Sequence, residues 1–289
     1  MSHEAVPRSW WARHRWLVAR RTCQALILGV FLLGPVADIW LVKGTLASSN
    51  VLDILSLTDP FIALQSLAAG HPLSSVAIIG ASIVAGFYLA FGGRSFCAWV
   101  CPINPVTDGA SWLRRNLNIR SGFSLPKATR LWLVPAMLIL SWALGHIAFE
   151  AINPITMLQR GLLFGIGLGW IVVLAVFVFD LFAVKHGWCG HLCPVGAFYG
   201  LLGRASFVKV SAARRLDCTQ CGDCFQVCPE PQVIAPALYP AQPSDTPLIL
   251  NTDCTSCGKC MDVCEPDVLR FTHRFDSRVE DALTPTLKD

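Results

Sequence analysis

Two stretches of the chain, CTQCGDCFQVCP at 218–229 and CTSCGKCMDVCEP at 254–266, each space four cysteines as C-x2-C-x2-C-x3-C. Three thiolates of such a loop wrap one face of a [4Fe-4S] cubane, and the fourth, a helical turn further on, reaches a neighbouring cluster. The spacing therefore predicts one cluster on Cys218, Cys221, Cys224 and Cys264, and a second on Cys254, Cys257, Cys260 and Cys228. A pair of zinc sites is the competing assignment, but zinc motifs join two short C-x2-C arms, whereas here three cysteines share each loop. In the second run Glu265 stands ahead of Pro266, which adds a negative charge near a cluster and leaves the ligands intact.

Four further cysteines form two CxxxCP pairs, Cys97 with Cys101 before Pro102, and Cys189 with Cys193 before Pro194. Residues four apart share a helix face at about 6 Å, near enough to share a ligand, and each proline is expected to end or kink its helix. The four thiols are expected either to hold a metal or a further cluster, or to form a redox-active set beside a quinone pocket. Small buried residues at a helix end are the plain alternative. A disulfide within a pair is expected to be transient only, because the predicted face is the reducing cytoplasm.

Such groups need elements to position them. The 289 residues are 54% hydrophobic and 15% charged, with a mean hydropathy of +0.52, which is too apolar for a soluble domain. About 20 apolar residues cross a bilayer core of about 30 Å, and windows near 22–42, 73–92, 131–151 and 162–184 meet that length. Lys and Arg crowd the segments before the first window, between the second and third, and after the fourth; 44–72 has none and 152–161 only Arg160. The positive-inside bias then puts both termini in the cytoplasm, and the N-terminus, lacking a cleavage site after its apolar stretch, is taken as a retained anchor.

An internal repeat organises these windows. DPFIALQ (59–65) recurs as NPITMLQ (153–159), and CAWVCP (97–102) as CGHLCP (189–194). Two halves that start on the same side imply a pseudo-two-fold along the membrane normal, with the CxxxCP pairs facing each other at the cytoplasmic surface. The expected fold is an α-helical membrane protein. It has a basic N-terminus (1–21), a four-helix transmembrane domain of two repeated hairpins (22–205), a small α+β two-[4Fe-4S] ferredoxin-like domain (206–272) and a polar tail (273–289). The proline-rich stretch at 229–250 is expected to be an irregular connector before a short strand.

Through RRTCQALILGVFLLGP, LTDPFIALQSLAAGH, GGRSFCAWVCP, FDLFAVKHGWCGHLCPVGAFYGLLGR and both ferredoxin runs, the chain resembles the NapH family of ferredoxin-type membrane proteins up to about residue 272. The resemblance implies a bacterial inner-membrane component that oxidises menaquinol or ubiquinol from the quinol pool. It implies delivery of the electrons to a NapG-like ferredoxin partner, and from there through c-type haem proteins to periplasmic nitrate reductase. Related polyferredoxins with CxxxCP pairs resemble assembly factors for copper enzymes. A redox maturation factor and a membrane anchor for a soluble iron–sulfur partner are therefore alternative readings.

Quinol oxidation releases protons, and ionisable residues inside apolar spans are functional candidates by default. Asp180 near the inner end of its span and His146 in the outer half join the four CxxxCP cysteines as catalytic candidates, with Asp38 also in the outer half and Glu150 near the outer end. Asp180 has a plainer role open to it as the partner of Lys185 or an interfacial arginine. Gln65 and Gln159, matched by the repeat, are placed either to bind a headgroup or only to cap a helix. Trp10, Trp11, Trp16, Trp40, Trp112, Trp132 and Trp188 are expected to anchor at membrane interfaces. The chain has no C-x-x-C-H, Walker A or Rossmann glycine pattern, which argues against covalent haem and nucleotide chemistry; its basic residues track the inner face, so no nucleic-acid partner is expected. Clusters inside and nitrate outside leave about 30 Å to cross, a gap that motivates an additional centre at the four thiols.

Overall fold

The computed structural model describes residues 9–119, 122–123, 125–165, 167–242, 245–276 and 278–279. The rest of the expected basic start and polar tail, with Arg8 and Arg120 among the flanking cations, lies outside the described residues.

The chain opens on a 28-residue helix, α1 (Trp10–Ala37). A three-stranded antiparallel sheet follows, β1 (Val42–Gly44), β2 (Ser48–Val51) and β3 (Leu55–Thr58), then the half-helix α2 (Pro60–Ala68) and the apolar α3 (Ser75–Phe91). A short α4 (Ser95–Trp99) leads into α5 (Ile103–Asn116). The helical order then recurs: α6 (Thr129–Leu144), the half-helix α7 (Pro154–Phe164), α8 (Gly169–Val178) running on as a π-turn through Phe179–Ala183, a second π-turn at Trp188–Leu192, and α9 (Pro194–Leu202).

The repeated Asp/Asn-Pro motif has a local cause. Asp59 Oδ1 accepts the N–H groups of Phe61 at 2.9 Å and Ile62 at 3.0 Å, and Asn153 Oδ1 accepts that of Ile155 at 3.1 Å. Each side chain is an N-cap followed by proline at the first helical position, where its missing N–H and fixed φ suit a helix start.

Among the described residues α1 is the one helix long and apolar enough to cross a membrane, while α3, α6 and Gly169–Ala183 are shorter apolar helices lying in the other three windows. The limits differ from those expected for physical reasons. α1 begins within the basic segment because its first turns find partners elsewhere in the chain. α6 stops at Gly145, in the left-handed region at φ 67, and the 162–184 window is broken at Gly165, φ 102. The sheet had no signal in the sequence: its β2–β3 turn sets Leu52 and Asp53 at φ 53 and 56 without the Asn or Gly that marks such turns.

Gly93 permits the closest approach between the halves. A Cβ there would lie 1.6 Å from the carbonyl oxygen of Tyr199 and 2.6 Å from the N of Gly203, backbone atoms of α9 and its end that cannot swing aside. Gly93→Ala should lower stability by about 1–3 kcal/mol, read as earlier loss of tryptophan fluorescence on heating. Gly86→Ala, with nothing within 4 Å of the new Cβ, serves as the neutral control.

The C-terminal unit is closed by β4 (Val208–Ser211) pairing antiparallel with β5 (Arg270–His273), with α10 (Asp223–Val227), α11 (Ala235–Leu238) and α12 (Lys259–Val263) between them. Val210, Ile234, Leu238, Ile249, Met261 and Leu269 form its buried core. The stretch expected to be irregular contributes α11 to that core, because its V-I-A-P-A-L run places Val233, Ile234, Ala237 and Leu238 on one buried side. The strand expected to follow is a single bridge from Leu248 to Ser211.

Candidate functional site: three gatherings of cysteine

In both C-terminal loops the chain alternates into the left-handed region at matching places, Gln220 (φ 58) and Gly222 (φ 81) in the first, Ser256 (φ 48) and Gly258 (φ 74) in the second. Such alternation turns successive N–H groups into a concavity that suits anionic iron–sulfur groups, and Gln220 N–H donates to Cys218 Sγ at 3.4 Å. Cys264 lies within electrostatic reach of Cys218 and Cys221, and Cys224 within reach of Cys264. Cys228 instead neighbours Cys257 and Cys254, and Cys260 neighbours Cys228. The last cysteine of each run thus sits with the first three of the other. Among the described residues no three Cys, His, Asp or Glu side chains close on a single ion. Eight thiol donors in two crossed sets of four fit [4Fe-4S] clusters.

The CxxxCP cysteines converge in a third place. Cys101 is within electrostatic reach of Cys97 and Cys193, and Cys189 of Cys101, Cys193 and Cys97; a Cβ on Gly196 would lie 3.6 Å from Cys97 Sγ and 3.9 Å from Cys193 Cβ. The helical turns ahead of the prolines end as expected, at Trp99 and Leu192, and the prolines also open the next helices: Pro102 is the N-cap of α5 and Pro194 the first residue of α9. Cys193 is the N-cap of α9 and its Sγ accepts the Gly196 N–H at 3.4 Å, so Cys101 and Cys193 sit at the positive ends of two helix dipoles. The copies differ in that Cys97 lies on α-helical backbone and Cys189 in a π-turn, a form that often marks functional sites. Burial pushes all four thiols above their usual range, Cys193 to about 12. Unligated they are neutral and poorly nucleophilic at pH 7.

A charged clamp joins this third set to the C-terminal unit. Glu230, 1% exposed, accepts hydrogen bonds from Arg94 at 2.9 Å and Arg130 at 2.8 Å, and is paired by Lys127. Burial opposes its charge, but Arg94, Arg130 and Lys127 hold its carboxyl down at about 2. Arg94 also donates to the carbonyls of Cys189 at 2.9 Å and Asp253 at 2.7 Å, while Arg130 pairs with Asp253 and donates to Gly190 O at 3.0 Å. Trp99, inside the first CxxxCP, donates from Nε1 to Ser256 O at 3.0 Å. Asp108 of α5 pairs with Arg21 at 2.6 Å, Arg20 at 3.3 Å and with Lys259. A pocket of ≈ 20 Å³ is lined by Cys97 and Cys189 of the third set, by Cys257 of the C-terminal unit and by His186.

The other candidates are placed less favourably. Asp180 is fully buried and its Oδ1 accepts the Trp188 N–H at 2.9 Å, so it ties down the second CxxxCP turn; Lys185 donates to Gln226 O at 2.8 Å instead of pairing with it. His146 is exposed beside the end of α6, with Nδ1 3.0 Å from Leu144 O. Asp38 accepts from Trp40 Nε1 at 2.7 Å, and Glu150 from Asn153 Nδ2 at 3.1 Å. Gln65 accepts from Phe149 N at 3.1 Å and Gln159 from Leu46 N at 2.8 Å; each holds the outer loop of the opposite hairpin and caps no helix. Trp16, expected at a membrane interface, packs edge-on to Phe271 with centroids 4.6 Å apart and against Gly258. Sequence reasoning missed Glu230, Asp108 and Asp59. Of these only Asp59 carried a signal, as the one ionisable member of the Asp/Asn-Pro pair.

Comparison with known proteins adds the following. A 4Fe-4S binding domain model matches residues 74–120 and 163–212, the two segments that carry the CxxxCP pairs, and a 4Fe-4S dicluster domain model matches 210–266. The chain is 54% identical over 225 residues to the methylamine utilization ferredoxin-type protein MauN of Methylorubrum extorquens, covering 78% of each chain. It is 47% identical over 232 residues to the ferredoxin-type protein NapH of Escherichia coli, covering 80% of this chain and 81% of that one. Against NapH of Haemophilus influenzae it is 43% identical over 268 residues, covering 92% and 93%. No solved structure matches the chain.

Proposed function

The chain belongs to the family of ferredoxin-type iron–sulfur electron-transfer proteins that includes NapH and MauN, and from that premise we propose that it is a multi-pass protein of the bacterial inner membrane that oxidises quinol. Four apolar helices, α1, α3, α6 and α8, are its spans, with both termini cytoplasmic. The three that fall short of about 30 Å are completed by the half-helices α2 and α7.

The eight C-terminal cysteines hold two [4Fe-4S] clusters in the crossed arrangement, and the CxxxCP set holds a third iron–sulfur centre. Such clusters supply one-electron steps at potentials tuned by hydrogen bonds and burial. The observation that carries the reading is Arg94: one guanidinium hydrogen-bonds both the Cys189 carbonyl and the Asp253 carbonyl next to Cys254. It fixes the CxxxCP set against the second cluster's loop and gives a short bonded route between them. A centre there also shortens the passage between quinol and the C-terminal clusters.

Electrons are passed to a NapG-like ferredoxin partner and on to periplasmic nitrate reductase. The MauN relatives favour a second reading, in which the chain serves an enzyme of methylamine utilization, as donor or in its maturation. Depleting the protein after the periplasmic enzyme has matured separates these roles, since a maturation factor is then dispensable and an electron donor is not.

The function is tested on full-length protein reconstituted with iron and sulfide under anaerobic conditions. Addition of menadiol or a short-chain ubiquinol should bleach the visible iron–sulfur absorption; an unchanged spectrum at every quinol potential sinks the proposal. Iron should be about twelve atoms per chain, falling by about four in Cys97→Ala with the two C-terminal clusters retained. Iron of about eight in the wild type removes the third centre.

A further inference from the structure

We propose that the ring of the quinol binds beside Asp59 and that the Asp59 carboxylate accepts the protons the ring releases, an assignment that rests on the quinol oxidation proposed above. Asp59 is buried where α2 begins, and besides its capping bonds its Oδ2 accepts the Tyr199 hydroxyl at 2.7 Å. With Ser49, Thr58, Tyr88 and Tyr199 it supplies the polar lining of a cavity of ≈ 300 Å³ whose other walls are apolar, among them Leu57, Val84 and Phe96. That cavity shares Phe87, Tyr88 and Val100 with a second, of ≈ 400 Å³, which reaches Ile27 and Phe91 on one side and Ser256 on the other.

A partly polar cavity adjoining a more apolar one matches a molecule with a dihydroxy ring and a hydrocarbon tail. The ring would lie next to the thiol set, because Phe96 and Val100 immediately precede Cys97 and Cys101, and Tyr88 and Tyr199 are within electrostatic reach of Cys97. Tyr199 stacks on Phe96 at 4.9 Å and 15°, and meets Tyr88 edge-on at 4.9 Å, which fixes the hydroxyl that Asp59 accepts.

The repeat sharpens the assignment. In the other half the positions of Asp59 and Tyr199 are held by Asn153 and Thr107, so the scaffold is kept and the base is not. Tyr88, Tyr199 and Glu150 are the other titratable groups that face Asp59. A quinol that becomes a quinone loses two electrons and two protons. The electrons leave singly to oxidised iron–sulfur centres, and the protons pass in turn to Asp59 and onward to solvent on the side of Glu150.

Asp59→Asn tests this cleanly, since asparagine already caps the equivalent helix at Asn153. In the cluster-loaded full-length protein it should slow reduction by menadiol about 100-fold or more, with reduction by dithionite unchanged. A variant as fast as the wild type makes Asp59 a helix cap only and overturns the inference while quinol oxidation stands. A wild type that menadiol does not reduce overturns the underlying function, and the inference with it. Should Asp59→Asn fail to load clusters, Ile83→Trp decides: Ile83 lines the cavity and is 46% exposed. The added ring should raise the half-saturating menadiol concentration at least tenfold, and an unchanged value overturns the site.

Discussion

Glu230→Ala is expected to destabilise the protein by about 3–5 kcal/mol, the range for breaking a buried ion pair by removing one partner. The carboxylate is 1% exposed and its partners Arg94 and Arg130 are each 2% exposed, so alanine leaves charge stranded away from water. Because these groups are shielded, the loss should be nearly the same at low and high salt, unlike that of a surface pair. Thermal unfolding followed by tryptophan fluorescence and iron–sulfur absorption reads both effects. A variant that melts with the wild type would mean that apolar contacts alone hold the C-terminal unit in place. Glu230→Gln, which keeps the shape and one acceptor, should fall between the two.

The second large effect concerns ligand crossing. Cys228→Ala should remove the cluster gathered by Cys254, Cys257 and Cys260, lowering iron by about four per chain, although its own run supplies the other cluster. Adding Cys257→Ala to it should cost no further iron, whereas adding Cys264→Ala should strip both C-terminal clusters. Electron paramagnetic resonance of the reduced protein distinguishes the outcomes. If Cys228→Ala instead erased the signal shared with Cys218 and Cys221, the crossed assignment would be wrong. Quinol-driven delivery to any acceptor should stop in each variant.

The parts of this molecule legible in its sequence are those set by local spacing. The two ferredoxin loops announce themselves because a cluster needs three sulfurs within one tight turn, and Asp59-Pro60 and Asn153-Pro154 do so because a cap and a proline start a helix within a few residues. The repeat followed from such markers and led to the four CxxxCP thiols. What could not be read depends on partners far along the chain. Arg20 and Arg21 looked like a cytoplasmic flank, yet they lie in α1 because Asp108 neutralises them. Glu230 reads as a loop residue in its Pro-Glu-Pro stretch, and only the fold brings Arg94 and Arg130 around it. Asp180 and His146 both lie in apolar windows, but the first bonds the turn at Trp188 and the second is exposed. The β-sheet went unseen because its turn uses Leu52 and Asp53.

The pairing of the first helix with the last has a consequence for how the protein is made. The N–H groups of Trp16 and Leu17 donate to the Asp262 carboxylate at 3.1 and 2.9 Å, across 246 and 245 positions. At a synthesis rate of about 5–20 residues per second, α1 emerges roughly 12–50 seconds before the group that receives it. During that interval the inner half of α1 has no C-terminal unit to rest on, and Arg20 and Arg21 have only Asp108 once α5 is made. Closure waits for the end of translation, because the carboxylate that receives α1 lies inside the second cysteine run, between Cys260 and Cys264, so the first helix and the second cluster loop can only be completed together.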